Sequence, residues 1–376
     1  MQFNTVDVIF GVFLAGMSVR RKITWGCLLA LAAAIKILSF YPTAVERYYS
    51  RGLYLFLSRL QRILFGWLPF SVGDLLYGAA FIWLLVALVR AVRTLVRREA
   101  GRAWCFSFLR RTVFVCLWVY VLFNGLWGLN YDRLGVAYQM QLRVHRYSTG
   151  ELEQLTTVLA GKINTLDSMA RVNRAGLERS RNMFRGAVAA YDSLASEDDR
   201  FRYPSPSVKS SLFSYIGLYL GYSGYYNPFT GEAQVNTWQL AFTQPYTTCH
   251  EMGHQLGYAR ENEANFAGYL AARRSSDAAF RYSTYFDLYA YATAEMYGRD
   301  SLFVKRLVKQ LHPAIRQDFR DLRAFSRKYA NPLETGVWRL YGGYLRANRQ
   351  PKGIVTYTEV TAWLIAYAEK VGWDNI

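Results

Sequence analysis

The sequence predicts a membrane-anchored α+β protein, with three N-terminal transmembrane helices followed by a mostly helical domain that contains a small antiparallel sheet. Three observations lead to this prediction. Long apolar runs fall within the first 131 residues, and helical periodicity dominates the remainder. Between them, residues 216–238 are rich in glycine and tyrosine and contain turn signals, which is typical of short strands.

Three apolar runs are predicted to span a membrane. They extend over about Ile23–Tyr41, Phe70–Val92 and Thr112–Leu129, and each approaches the roughly 20 residues that cross the hydrocarbon core. Between the first two runs, residues 52–68 alternate arginine with leucine, phenylalanine and tryptophan at helical spacing. This pattern predicts an amphipathic helix on the membrane surface, or alternatively one that packs on the following domain.

The arginines predict the orientation. Residues 20–22 are basic, and seven arginines lie between the end of the second run, from Arg90, and the start of the third, up to Arg111. Because basic loops stay in the cytoplasm, residues 1–22 are expected there, residues 23–131 form the membrane region, and residues 132–376 form an extracytoplasmic domain. A multi-pass membrane protein in contact with lipid is therefore expected. Residues 6–15 are too short to span, and translation is expected to begin at Met17.

The net charge of +18 does not indicate a nucleic-acid partner. Residues 1–131 contain 15 Lys and Arg but only 4 Asp and Glu, so membrane topology explains much of the excess. Of the four cysteines, only Cys249 lies in the outer domain, which therefore cannot form an internal disulfide. Cys249 is predicted to be a small core residue.

A metal-binding pattern stands out because the chain has only four histidines and places two of them close together. The run is His250-Glu251-Met252-Gly253-His254, an H-E-x-x-H pattern. Residues four apart lie on one face of a helix, so both imidazoles can reach one metal ion. Glu251 can then act as a general base toward a water molecule. Zinc is the predicted cofactor, since it accepts two nitrogens and a carboxylate and keeps one position open.

The third ligand is expected on the next helix. Gly257 is predicted to end the first helix in a left-handed conformation, and the following helix begins with acidic residues. Glu261 or Glu263 can complete the ligand set, and their spacing points them to different sides of the helix. Glu261 is favoured and Glu263 is the alternative. Asn265, one turn later, is a candidate to orient a ligand from behind.

These motifs resemble those of zinc metallopeptidases. Glu261-x-x-Ala264-Asn265 resembles the gluzincin pattern, although its distance from His254 is shorter than usual in that group. Gly257 matches the glycine of the metzincin pattern, but Arg260 stands where the third metzincin histidine would be. The resemblance therefore implies a gluzincin-like zinc site.

Most of the chain resembles a family of uncharacterised bacterial membrane proteins with a metallopeptidase-like domain. The resemblance rests on residues 224–236, the H-E-x-x-H helix and the run that follows it. It implies a zincin-like fold, a zinc hydrolase and a location in the bacterial inner membrane, but no particular substrate. In zinc peptidases of this type an edge strand commonly pairs with the substrate backbone. The candidate for that strand consists of Glu232, Ala233, Gln234, Val235 and Asn236, and a purely structural hairpin is the alternative.

The predicted function is a membrane-anchored zinc metallopeptidase that acts on peptide or protein substrates in the cell envelope, with Glu251 as general base. Two alternatives are a non-catalytic envelope protein with a structural or degenerate metal site, and a hydrolase of cell-wall peptides. Tyr226, Tyr282 and His312 are candidates by residue type for stabilising a developing oxyanion.

Overall fold

A computed structural model describes residues 17–353 and 359–376. The chain is mostly helical and contains one small sheet. The predictions made for residues 1–16, including the apolar segment 6–15, lie outside the described residues.

The N-terminal third contains two helices that are long and apolar enough to cross a membrane, or three spans if a bent pair is counted. Helix α1 is Val19–Leu38, α3 is Val72–Val96 and α4 is Arg102–Leu126. The most apolar windows of α3 and α4 are not buried at all within the protein. Helix α1 qualifies only together with Pro42–Phe65, from which it is bent by 102°. The first predicted span therefore ends at a sharp bend, because Pro42 starts a new helical direction.

Helix α2, Tyr54–Phe65, is amphipathic, but its polar face is buried and its apolar face is exposed. It follows a π-helical segment, Val45–Leu53. Its polar residues Ser58 and Arg62 are buried, whereas Phe56 is 64% exposed. Hydroxyl and guanidinium groups of this helix donate to the carbonyl of Gln255 in the following domain. The polar face thus packs on the protein, as the alternative prediction stated, and the apolar face is directed outward.

The remaining helices form the larger part of the protein. The longer helices are α5 Thr149–Leu177, α6 Ser180–Ala195, α7 Gln244–Gln255, α8 Glu261–Ala272, α9 Ala278–Arg299, α10 Ser301–Gln310, α11 Pro313–Tyr329, α12 Pro332–Ala347 and α13 Val360–Val371. The core is one apolar cluster, to which α5, α7, α8 and α9 all contribute. Shorter helical segments are Gly128–Asp132, Gly135–Gln139, Asp199–Phe201, Ser214–Leu220 and Trp373–Asn375.

The sheet has three strands in the order β1-β3-β2: β1 is Val208–Ser210, β2 is Gly224–Asn227 and β3 is Glu232–Val235. Strand β3 pairs in parallel with β1 and antiparallel with β2. The sheet is therefore mixed, not antiparallel as predicted. The prediction that residues 232–236 form an edge strand is wrong, because β3 is central and its backbone is paired on both sides. Strand β2 lies at an edge.

A buried ion pair joins this sheet to the start of α3. The Glu232 carboxylate accepts hydrogen bonds from the backbone nitrogens of Val72 at 3.2 Å and Gly73 at 2.6 Å. The Lys209 ammonium lies 2.5 Å from the same carboxylate and also donates to the carbonyl of Phe70. An acid at a helix N-terminus complements the exposed amides there. The long apolar helix is thus attached directly to the sheet.

Candidate metal centre

A tight turn brings helices α7 and α8 together. Gly257 has φ +83°, which confirms the predicted left-handed end of α7. A Cβ atom at this position would lie 2.8 Å from the ring of Tyr54 and 3.0 Å from the side chain of Asn130. Glycine is required both by the backbone conformation and by this close approach.

Two further glycines allow the helices to pack closely. A Cβ atom on Gly268 of α8 would lie 2.9 Å from the backbone nitrogen of His250, and one on Gly253 would lie 3.3 Å from the carbonyl oxygen of Ala264. The two helix backbones are therefore nearly in contact. Close contact matters because it brings the first turn of α8 within reach of the histidine face of α7.

His250, His254 and Glu261 converge in the space between the helices. One ligand atom from each lies within 4.8 Å of the other two. Oε2 of Glu261 is 3.3 Å from Nε2 of His250 and 3.7 Å from Nε2 of His254. All three residues are buried, with 7%, 6% and 2% exposure in the same order. The sequence prediction of these three residues matches the group that the fold brings together.

The other ring nitrogen of each histidine is held from behind. Nδ1 of His250 lies 2.8 Å from Oδ1 of Asn265, which is the contact predicted for Asn265. Nδ1 of His254 lies 2.8 Å from the carbonyl oxygen of Tyr258. Because both acceptors lack a proton, Nδ1 of each histidine donates to its acceptor, and Nε2 of each ring is left facing Glu261. This is the usual arrangement behind a metal-binding imidazole.

Glu261 and Glu263 have different surroundings. Oε1 of Glu261 accepts a hydrogen bond from the hydroxyl of Tyr341 at 2.5 Å, which leaves Oε2 facing the histidines. Glu263 points to the other side of α8, where its carboxylate lies 3.5 Å from the Arg260 guanidinium and against Gly135. The alternative ligand Glu263 is therefore not brought to the histidine pair.

Glu251 lies beside this group and against the edge strand. Its carboxylate is so close to β2 that a Cβ atom on Gly224 would lie 2.6 Å from Oε1. Oε2 is buried and has no hydrogen-bond partner in the part of the chain that the structure describes. Burial raises the pKa of Glu251 to about 7. The carboxyl group thus lies between the converging residues and the edge of the sheet, and one of its oxygens has no hydrogen bond to the described residues.

The three converging residues fit a zinc ion by their donor types. Burial alone disfavours a charge on Glu261, but the two imidazoles outweigh that effect and hold its pKa below the usual value. Oε2 of Glu261 is a buried atom without a hydrogen bond among the described residues, although it faces two nitrogens. Two imidazole nitrogens and one anionic oxygen are a recurrent ligand set of catalytic zinc, which keeps a fourth position open.

The cluster opens into a cavity of about 1250 Å³. The edge strand β2, helix α4 and helix α12 form other parts of its wall. Sequence reasoning missed Tyr341, Asp287 and Tyr291, which line it from distant parts of the chain. Burial raises the pKa of Asp287 to about 8. No local motif marks these residues, although Asp287 and Tyr291 are spaced to share one helix face.

The three oxyanion candidates differ in position. Tyr226 lines the cavity. Tyr282 lies in the main apolar cluster and donates its hydroxyl proton to Asp318 at 2.5 Å. His312 lies 3.5 Å from Asp167 and its side chain is 55% exposed. Neither Tyr282 nor His312 is among the described residues of the cavity wall, so the fold does not bring these two candidates to the metal centre. Cys249 is fully buried in the main apolar cluster, as predicted.

Comparison with known proteins identifies a family for most of this chain. A family model described as a protein of unknown function, DUF3810, matches residues 49–365. No curated protein and no solved structure matches the chain. The match includes the H-E-x-x-H helix, the helix bearing Glu261, and both long apolar helices.

Proposed function

We propose that this chain, which belongs to the DUF3810 family, is a membrane-anchored, zinc-dependent hydrolase, and specifically a metallopeptidase with a gluzincin-like site. The observation that carries the proposal is the convergence of His250, His254 and Glu261 within 4.8 Å, with Glu251 buried beside them. A purely structural metal site has no need of a buried carboxylate with an unpartnered oxygen next to its ligands.

His250, His254 and Glu261 would hold the ion. A zinc ion bound there supplies an activated water molecule and polarises a carbonyl oxygen. Glu251 accepts a proton from the attacking water and delivers it to the departing nitrogen. Asn265 and the Tyr258 carbonyl keep both imidazoles in the tautomer that presents Nε2.

Strand β2 is the edge that an extended peptide can join. It lines the cavity through Gly224, Tyr225 and Tyr226, and its partner strand occupies only one of its sides. The absence of a side chain at Gly224 makes room for the carboxylate of Glu251 directly against this strand. Backbone pairing at such an edge aligns a peptide irrespective of its side chains.

The proposed location is a bacterial inner membrane, with the metal centre outside the cytoplasm. Two contacts place the centre at one end of the apolar helices: Glu232 holds the start of α3, and the Trp127 indole, just after α4, donates to the His254 carbonyl at 3.1 Å. The arginine-rich connection between α3 and α4 lies at their other ends. If basic loops remain in the cytoplasm, the metal centre faces the opposite side.

The test combines metal analysis with peptide cleavage. Purified protein should contain about one zinc per chain, and a peptide library should be cleaved by the wild type. Glu251→Gln should retain zinc and lose cleavage, because the variant keeps all three ligands and lacks the base. A protein that takes up no zinc would overturn the proposal. Stoichiometric zinc without cleavage of any library member would favour the non-catalytic envelope protein, and cleavage restricted to cell-wall stem peptides would favour the cell-wall hydrolase.

A further inference from the structure

The cavity at the metal centre continues along the side of an apolar helix. Five of its wall residues lie on α4: Val115, Cys116, Val119, Tyr120 and Phe123. Their spacing places them on one face of the helix. Helix α4 is one of the two that are long and apolar enough to cross a membrane by themselves. The wall of the cavity is thus also part of a candidate membrane span.

The cavity wall extends along α4 away from the metal centre. Helix α4 ends at Leu126, next to the contact between Trp127 and His254. Val115 lies eleven residues before that end, and a rise of 1.5 Å per residue places it about 17 Å away. That distance is more than half of the roughly 30 Å hydrocarbon core. Val119 is 51% exposed, so the face remains accessible.

The charge of the cavity wall restricts the ligand. None of the described residues that line the cavity is lysine or arginine, although the chain has a net charge of +18. The acids Glu251, Glu261 and Asp287 do line it. Phosphate groups are normally bound by basic side chains or helix N-termini. A ligand with a phosphate head group is therefore disfavoured, and a neutral or cationic polar group is favoured.

The wall along α4 favours an alkyl chain. The five α4 residues that line the cavity are uncharged and largely apolar, and the whole cavity, including the metal centre, measures about 1250 Å³. A hydrocarbon chain fits beside α4 and matches its apolar wall.

We infer that the substrate is an acylated peptide, with its alkyl chain held against the Val115–Phe123 face of α4 and its peptide portion at the metal centre. This inference rests on the proposed hydrolase function and specifies its substrate class. The bilayer delivers the substrate along α4, and the alkyl chain tethers the scissile peptide beside strand β2. Such tethering raises the effective concentration of the peptide at the site.

The first experiment compares two peptides of one sequence, with and without a palmitoyl group, in phosphatidylcholine nanodiscs. The acylated peptide should be hydrolysed with a kcat/KM roughly 100-fold higher, in line with typical tethering effects. Val119→Trp should abolish this preference by filling the cavity. Leu122→Trp is the matched control, because Leu122 is an apolar residue of the same helix with 42% exposure that does not line the cavity.

The second experiment does not depend on turnover. The Glu251→Gln protein is irradiated with an acylated peptide that carries a diazirine in its alkyl chain, and the labelled residues are mapped by mass spectrometry. Label should concentrate on Val115–Phe123, fall at least about fivefold with Val119→Trp, and persist with Leu122→Trp. The same photoreactive chain on phosphatidic acid should give no enrichment at this face. Zinc content equal to the wild type establishes that each tryptophan variant is folded.

The outcomes separate the two proposals. Equal hydrolysis of both peptides, with label spread evenly around α4, would refute the alkyl-chain site and leave the hydrolase intact. Label on Val115–Phe123 without hydrolysis of either peptide would refute the hydrolase and support the chain-binding site. Enrichment with phosphatidic acid equal to that with the acylated peptide would overturn the assignment to an acylated peptide.

Discussion

Glu261→Gln and Glu263→Gln form a matched pair that tests the identity of the third ligand. Both glutamates are buried, lie in the first turn of α8 and are two residues apart. Glutamine keeps the length and shape of each side chain and removes its charge. The two substitutions therefore differ mainly in what each carboxylate faces. Zinc affinity should respond to Glu261 and not to Glu263.

The expected loss of zinc affinity follows from the contacts of each carboxylate. Oε2 of Glu261 lies 3.3 Å and 3.7 Å from the two histidine nitrogens, and this residue supplies the only carboxylate in the converging group of the described chain. Loss of a residue that merely orients a metal ligand costs about 10- to 100-fold in affinity. Loss of the anionic ligand itself should cost at least 100-fold, or about 2.7 kcal/mol. Glu263→Gln should change affinity by less than about tenfold, because its carboxylate faces Arg260 instead.

The assay is a competition titration of the purified protein against a chromophoric zinc chelator, with zinc content measured in parallel. Thermal unfolding of each variant in the presence of chelator serves as the control for folding. The reasoning would be refuted if Glu263→Gln lost zinc while Glu261→Gln retained it. Equal, small losses in both variants would also contradict it, since they would show that neither carboxylate is a ligand.

Three further predictions concern the surroundings of the site. Asn265→Leu should weaken zinc binding by about 10- to 100-fold, because His250 loses the acceptor of its Nδ1 proton; the same chelator titration measures this. Lys209→Met should destabilise the protein by about 3–5 kcal/mol, because it leaves Glu232 as a buried charge without its cation; unfolding in detergent measures this. Asp287→Asn should remove a pH dependence of stability. Since the pKa of Asp287 is raised to about 8, the folded state retains a proton that the unfolded state releases above about pH 4, and stability falls as pH rises through this window. The phenols of Tyr246 and Tyr291 are the titratable groups near this carboxyl group, and burial raises the pKa of both. Asp287→Asn should raise the thermal midpoint above that of the wild type, and the increase should be larger at pH 8 than at pH 5.

Each of these predictions has its own contradicting result. Unchanged zinc affinity in Asn265→Leu would show that the amide does not support His250. A thermal midpoint of Lys209→Met equal to that of the wild type would show that Glu232 is satisfied by the amides of α3 alone. An increase in the thermal midpoint of Asp287→Asn that is the same at pH 5 and pH 8 would show that the carboxyl group titrates as in water.

Local signals in the sequence were sufficient to predict that the larger domain is mostly helical. Two of its helices are Ser301–Gln310 and Pro313–Tyr329. Their starts are determined locally: the Asp300 side chain caps the first, and Pro313 starts the second. The same holds for the turn at Gly257, where only glycine readily adopts the required backbone conformation.

The sheet and the amphipathic helix show where such signals fail. Strand order depends on which segments meet in space, and no local pattern distinguishes the central strand β3 from the edge strand β2. Helix α2 has one polar and one apolar face whichever way it packs. Its burial by the polar face is decided by hydrogen bonds from Ser58 and Arg62 to the carbonyl of Gln255, almost 200 residues away.

The sequence by itself determined that the two histidines share one face with Glu251 beside them, because a helix fixes the geometry of residues within one turn. It also limited the candidate for a third ligand to two acids on the next helix. Only the tertiary structure showed which acid faces the histidines, since the close packing of α7 on α8 turns Glu261 toward them and Glu263 toward Arg260. The cavity that joins this centre to α4 is likewise a property of the assembled helices, because its walls come from segments far apart in the chain.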